Sequence, residues 1–358
     1  MLWPRALADR LGLRYPIFQA PMAGGPSTPA LAAAVSEAGG LGALACGYVS
    51  AEQLRAEVAE VRRLTDAPFA VNLFVPEPRG WPPAPEALAA AAAALEGYRR
   101  ELRLGPLEPL PAPPDFEAQL AAVLELRPQV LSTTFGVLPP ARVAALRAAG
   151  VVVMGTATTP AEARAQEASG VDAVVAQGAE AGGHRGAFLA PGERSLIGTL
   201  ALVPRVCDAV QVPVVAAGGI MDGRAIAACL ALGAGAVSLG TAFLACAESG
   251  AAPRHKAALR ERAGEDATAL TRAFSGKPAR GLLNRFMTEQ AGSAAVLAYP
   301  AQNQLTAALR REAAKQGRFD LTSLWAGQGA PLARGGPAAE LFHELVEETE
   351  AIVRQLHG

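Results

Sequence analysis

Lysine is almost missing from this chain: Lys256, Lys277 and Lys315 are its three examples, and the remaining side-chain cations are arginines. With 32 basic against 33 acidic residues, the formal net charge is -1. That leaves no basic field to draw in nucleic acid and no cationic face for an anionic membrane, so the electrostatics point to a small-molecule partner. Long apolar runs are lacking as well. None reaches the roughly 18 residues that a spanning helix requires. The stretch from Met1 to Arg14 is interrupted by Arg5, Asp9, Arg10 and Arg14, which breaks the apolar centre a signal peptide would have. The expectation is a soluble, cytoplasmic protein, monomer or homodimer. Cysteine is sparse and scattered: Cys46, Cys207, Cys229 and Cys246 contain no C-x-x-C pair. They read as buried small hydrophobes in a reducing compartment, with neither disulfide nor metal expected.

What is present is a repeat of strand and helix signals. A chain of 358 residues, 51% hydrophobic, can bury a large core. Short apolar runs at Ile17–Met22, Leu41–Ala45, Phe69–Phe74, Val130–Phe135, Val151–Thr156, Ala173–Gln177, Val214–Ala217 and Ala236–Leu239 read as strands. Alanine-rich amphipathic segments separate them, near Thr28–Ala38, Ala51–Leu64, Asp115–Leu126, Pro140–Ala148, Pro160–Ser169, Ile197–Asp208 and Gly223–Leu232. Such alternation calls for parallel strands with helical crossovers, and eight strands close an α/β (β/α)8 TIM barrel. An open doubly wound sheet would give the same alternation. It would, however, gather its ligand loops at one switch point, whereas the glycine-bearing loops here follow many strands.

Two segments depart from the repeat. Val75–Pro114 holds ten of the 28 prolines around a helical Ala87–Leu102, an excursion long enough to wrap the barrel's mouth or edge. Residues 251–329 read as a small helical subdomain with no clear strand, covering the barrel top. The expected organisation is therefore a ligand-binding barrel over residues 1–250 with the excursion at 75–114, the subdomain at 251–329, and a terminal stretch at 330–358 whose helix, Ala338–Leu356, packs back on the barrel.

Barrel active sites form at the carboxyl ends of the strands. The first strand runs into Gln19-Ala20-Pro21-Met22-Ala23-Gly24-Gly25, the third carries Asn72, and the fourth ends at Ser132-Thr133-Thr134-Phe135-Gly136. The sixth opens at Gln177 into Gly178-Ala179-Glu180-Ala181-Gly182-Gly183-His184-Arg185-Gly186, four glycines with one histidine placed where a base is wanted. The same composition also suits a tight turn with a solvated histidine. The seventh ends in Gly218-Gly219 and the eighth in Ser238-Leu239-Gly240-Thr241, each followed by a helical segment. Glycine loops after strands seven and eight, backed by helix ends, suit a phosphate. Asn72 and Gln177 then face the body of the ligand, and a neutral amide suits the edge of a uracil-like ring. FMN is the economical ligand, because no G-x-G-x-x-G opens a helix after a strand to hold the adenylate of FAD.

Taken together, Pro16–Gly25, Asn72-Leu73-Phe74, the Gln177–Phe188 loop, Gly218-Gly219-Ile220, Leu239–Phe243 and Tyr299-Pro300-x-x-Asn303 resemble the nitronate monooxygenase family, formerly 2-nitropropane dioxygenases, and its first class in particular. The resemblance implies an FMN-bearing barrel that oxidises alkyl nitronates, and nitroalkanes, with dioxygen to a carbonyl compound and nitrite. It places cofactor contacts on Pro21, Met22, Ala23, Asn72, Gln177, Gly182, Gly219 and Ser238 to Thr241, with Gly183 and Gly218 beside them. His184 takes the catalytic role, with Thr133 and Tyr299 in the substrate pocket. Protonated, His184 would pair with the nitronate charge; neutral, it would take the carbon-bound proton of a nitroalkane. Arg185 is a competing electrostatic candidate that adjacent-side-chain divergence disfavours, and Glu180 reads as a solvated loop charge. An FMN-dependent NAD(P)H:quinone or enoyl-thioester reductase would share the phosphate loops, and a non-enzymatic ligand-binding barrel is the remaining class. The loop after the sixth strand has no cysteine, which excludes thioimidate chemistry.

Overall fold

The computed structural model describes residues 3–77, 81–189, 192–261 and 267–357, so that residues 1–2, 78–80, 190–191, 262–266 and 358 of the stretches named above lie outside them. Its strands in chain order are β1 Ile17–Gln19, β2 Gly42–Ala45, β3 Phe69–Phe74, β4 Val130–Thr134, β5 Val152–Ala157, β6 Ala173–Gln177, β7 Gly183–His184, β8 Val214–Ala217, β9 Ala236–Leu239, β10 Thr268–Thr271 and β11 Ala279–Leu282. Eight of them pair in parallel in the order β1-β9-β8-β6-β5-β4-β3-β2, and a bridge between Phe18 and Leu41 joins the two ends. This is the (β/α)8 barrel.

The helices between strands begin where local chemistry supplies a cap. Thr28, Ser50, Thr159 and Asp222 each accept a backbone N–H of the first turn, and Pro29 and Pro160 occupy positions where their missing N–H costs nothing. The first strand is shorter than its apolar run. Pro21 has no N–H for the ladder, so the chain leaves the sheet at Ala20 and turns across the barrel mouth. Gln19 makes good part of the closure: its Oε1 accepts from Ala43 N at 2.8 Å, and its Nε2 donates to Ser27 Oγ at 2.9 Å.

The pleat sorts side chains between two cores. Phe18, Ala43, Ala70, Val130, Met154, Ala173 and Val215 fill the barrel interior, plugged from below by Leu7, Leu11 and Leu13 of the N-terminal helical segment. Alternate residues such as Val71, Leu131, Val153 and Val174 face the outer helices. The helix Ala338–His357 lies against Pro29–Glu37 and Gly223–Ala231, burying Leu341, Phe342 and Leu345 with Ile17 and Ile226.

Residues 251–329 differ from the expected all-helical segment. β10 and β11 form an antiparallel hairpin, and β7 of the glycine loop adds to it as a third strand, with Ala279 opposite His184. The excursion does not stand apart from this segment either. Ala91, Leu95, Tyr98 and Leu102 share one core with Phe274, Phe286, Leu305 and Leu309, so the two irregular stretches pack as a unit over the barrel. Among the described residues no helix is long and apolar enough to cross a membrane.

Candidate active site

A cavity of about 720 Å³ opens at the carboxyl ends of the barrel strands, within the roughly 300–1,000 Å³ typical of small-molecule sites. Pro21, Met22, Ala23, Asn72, Gln177, Gly182, Gly183, His184, Gly218, Gly219, Ser238, Gly240 and Thr241 all line it. The unit above the barrel contributes His255, Asn303, Arg310 and Trp325, and the loop after β2 contributes Tyr48. Among the described residues no aspartate or glutamate lines it, while Arg310 and Arg311 do. The cavity is electrostatically prepared for an anion.

Three expected site residues fall outside the lining. Thr133 alternates with Ser132 and Thr134 along β4, so its side chain turns to the outer layer with Leu131, and its hydroxyl donates to Met154 O at 3.5 Å; Thr134 takes the cavity face. Leu239 belongs with Val237 to the outer core for the same reason. Tyr299 stands behind the wall, its ring 5.4 Å from Phe135 and 6.1 Å from His184, so it buttresses lining residues.

The glycine loop is held by its own polar groups. Gln177 Nε2 donates to His184 O at 3.0 Å, and its Oε1 accepts from Gly186 N at 2.8 Å, so this amide folds the loop back on itself. Asn72 spends its amide nitrogen on Ser132, 2.9 Å to Oγ, across the β3–β4 gap. Arg185 turns away from the cavity and is only 1% exposed; its guanidinium donates to the carbonyls of Gln177, Gly178 and Ser195. Burial pulls its pKa down to about 10, which leaves it charged and structural. Glu180, expected in solvent, accepts from Thr199 N at 2.9 Å and Thr199 Oγ1 at 2.8 Å, tying the loop to the helix Thr199–Cys207. Gly182 packs against Ala326 and Gly327 so closely that a Cβ would lie 2.6 Å from backbone. Gly183, at φ +71°, presents open space.

The two phosphate-type loops are not equivalent. After β8, the N-terminus of Gly223–Ala231 is already satisfied: Asp222 accepts from Arg224 N and Ala225 N, and Gly223 N donates to Glu348 at 2.9 Å. That helix end is therefore not available to a phosphate, contrary to the expectation of two helix ends. After β9 the chain enters Thr241–Leu244 directly from Gly240, where an added Cβ would meet nothing nearer than Ala20 Cβ at 3.6 Å. An FMN-sized ligand fits the residues present: the volume suffices, the backbone is open at Gly183 and meets only Ala20 at Gly240, and among the described residues no carboxylate lines the cavity, whereas Gly218 and Gly219 are backed by Thr199 and Glu180.

His184 sits on β7, its orientation fixed by the hairpin beside it. Phe135, Tyr299 and Trp325 surround the ring at centroid distances of 5.7, 6.1 and 5.6 Å. Its Nε2 lies 2.8 Å from Ser275 Oγ, and that hydroxyl donates to Lys277 O at 3.2 Å. Burial first, and the Arg310 charge second, depress its pKa to about 4. At neutral pH such an imidazole is uncharged. His255 is held neutral in the same way, down to about 4 by burial, with Nε2 donating to Trp325 O. Tyr48, Arg310, Ser275 and Trp325 were not singled out from the sequence. Tyr48 carried one usable signal, its place three residues past the end of β2.

A family model described as nitronate monooxygenase matches residues 5–348. A probable nitronate monooxygenase of Staphylococcus aureus is 40% identical over 351 residues, 97% of this chain and 98% of its own length. Among solved structures, the nitroalkane oxidase of Streptomyces ansochromogenes superposes with a TM-score of 0.91 at 47% identity, over 98% of this chain and 99% of that one. FabK of Thermotoga maritima gives 0.77 at 31% identity, over 98% of both chains. The barrel, the histidine-bearing glycine loop and these relatives agree: the chain belongs to the nitronate monooxygenase family of enzymes.

Proposed function

We propose that this chain binds FMN in the barrel-mouth cavity and oxidises alkyl nitronates, and the nitroalkanes from which they derive, with dioxygen to a carbonyl compound and nitrite. The observation that carries the reading is a neutral, aromatic-walled histidine in a carboxylate-free cavity. Gly218, Gly219, Gly240 and Thr241 would hold the phosphate. Pro21, Met22, Ala23, Asn72, Gly182, Gly183 and Ser238 would line the rest of the cofactor, with Gln177 holding the loop in shape. When bound, FMN supplies a two-electron acceptor that dioxygen can re-oxidise.

His184 prepares the substrate. A nitronate already carries the electron pair to be lost, whereas a nitroalkane must first give up its carbon-bound proton. The hydrogen-bond chain that satisfies every partner runs from Nε2–H to Ser275 Oγ and from Ser275 O–H to Lys277 O. Nδ1 then keeps its lone pair and is the proton acceptor, and Ser275 acts as a positioning residue by fixing that tautomer. Phe135, Tyr299 and Trp325 wall the imidazole and hold its orientation. The nitroalkane oxidase name of the Streptomyces relative supports including neutral substrates.

Oxygen uptake and nitrite release with propyl-2-nitronate under air test the reading against the reductase alternative. The expected result is stoichiometric nitrite with slow or no flavin reduction by NADH or NADPH. Rapid reduction by a pyridine nucleotide with quinone or enoyl-thioester turnover, and no nitrite, would replace it.

A further inference from the structure

Arg310 and Tyr48 are two polar groups of the cavity that the chemistry above does not use. Arg310, on the helix Ala301–Lys315, lines the cavity and is fixed by neutral acceptors alone. Its Nε donates to Thr306 Oγ1 at 3.2 Å, and Nη2 donates to the carbonyl and side-chain oxygens of Asn303, each at 2.9 Å. Nη1 makes no hydrogen bond, and no carboxylate pairs with the guanidinium, among the described residues. A half-buried cation without a counter-ion among the described residues is costly, and the neutral acceptors hold its geometry without cancelling its charge. Tyr48 faces the same space. Its hydroxyl is buried without a hydrogen-bond partner; the Tyr299 phenol faces it, but the geometry falls short of a hydrogen bond. Its ring packs edge-on against Phe74 at 5.2 Å. Arg310 lies within electrostatic reach of both Tyr48 and His184.

We propose that Tyr48 and Arg310 form the seat of the substrate's anionic oxygens, the phenol and the free guanidinium edge donating to the two oxygens of a nitronate. The inference rests on the nitronate reading above and supplies what that reading lacks, a positive partner for the substrate. A nitronate spreads one negative charge over two oxygens in a plane, the shape that a guanidinium edge and a neighbouring donor match. When a neutral nitroalkane gives its proton to His184, the charge that develops on the nitro oxygens meets the same two donors, which lowers the barrier as well as binding the product anion. Catalysis thus divides between a neutral base on the glycine loop that follows β6 and a cation on the helix Ala301–Lys315.

The test uses nitrate, a planar and inert oxyanion, titrated calorimetrically into the FMN-loaded protein and its Arg310→Met, Arg310→Lys and Tyr48→Phe variants at pH 7.5. Arg310→Met is expected to weaken nitrate binding about 10- to 100-fold, Tyr48→Phe about 3- to 10-fold, and Arg310→Lys less than Arg310→Met. KM for propyl-2-nitronate should rise in the same order. Arg310→Lys and Tyr48→Phe keep the test decisive if Arg310→Met, which strands Asn303 and Thr306, folds poorly. Unchanged nitrate affinity across all three variants would overturn the proposal. So would undetectable nitrate binding by the wild type, or losses confined to nitronates with a second acid group. Arg310-dependent nitrate binding without nitronate turnover would leave the anion seat standing and bring down the oxidase reading instead.

Discussion

Replacing His184 by asparagine separates two substrates that differ by one proton. Asparagine stops short of Ser275, whose hydroxyl keeps Lys277 O as its acceptor, and it occupies less space between Phe135 and Trp325, so FMN content and fold should survive. General-base catalysis is worth about 10²- to 10⁴-fold. The structure places the loss for a nitroalkane near the lower end, because a histidine held down to about 4 is fully available at neutral pH but is a weaker base than an unperturbed one. Turnover of nitroethane should fall on the order of 10²-fold, while turnover of its pre-formed nitronate should fall by about 10-fold or less, one hydrogen bond's worth. The pH dependence follows from the same shift. His184 is protonated below about 4 and neutral above it, so wild-type kcat/KM for the unionised nitroalkane should rise through pH 4 and flatten before pH 6. The assay is initial-rate nitrite release after rapid mixing from an unionised stock. Equal losses on both substrates, or a rise centred near pH 6.5 in the wild type, would refute the assignment.

Two further outcomes bear on the cofactor and on the histidines as structural elements. The protein should purify yellow, release FMN intact on heating, and lose FMN occupancy in Gly240→Val, because that backbone accepts a Cβ without clash yet the added side chain would take the anion's place; chromatography of the supernatant measures it. Stability at fixed FMN concentration should fall as pH drops from about 6.5 toward 4. The unfolded chain takes up protons on His184 and His255 in that window while the folded chain does not, a loss of at most about 3 kcal/mol per histidine. Urea midpoints at pH 7.5 and 4.5 should differ less in His255→Gln than in the wild type.

The barrel was legible because its signals are local. Helices Ala51–Leu64 and Pro140–Ala148 begin and end where caps and prolines put them, and every apolar run between helices became a barrel strand. The small sheet was not, since Gly183–His184 is two residues long and Ala279–Leu282 carries an arginine and a glycine, with no alternation to read. Its stability comes from pairing across about 90 residues of sequence. Loop charges were misplaced for a related reason. Arg185 reads as a competing electrostatic candidate and Glu180 as a solvated charge in a glycine-rich loop, and only tertiary folding supplies the carbonyls and the Thr199 hydroxyl that draw them inward. Thr133 and Leu239 missed the cavity by one residue of the pleat. Arg310 sits on a helix rich in polar residues, where a surface charge is the ordinary expectation, and nothing local marks it as the cation facing the cavity.

The most direct test of the account is the visible absorbance spectrum of the purified protein before and after anaerobic addition of propyl-2-nitronate. The account predicts an oxidised flavin spectrum that bleaches or shifts within seconds and returns when air is admitted. A protein that carries flavin whose spectrum the nitronate leaves untouched, yet NADH bleaches, would contradict it.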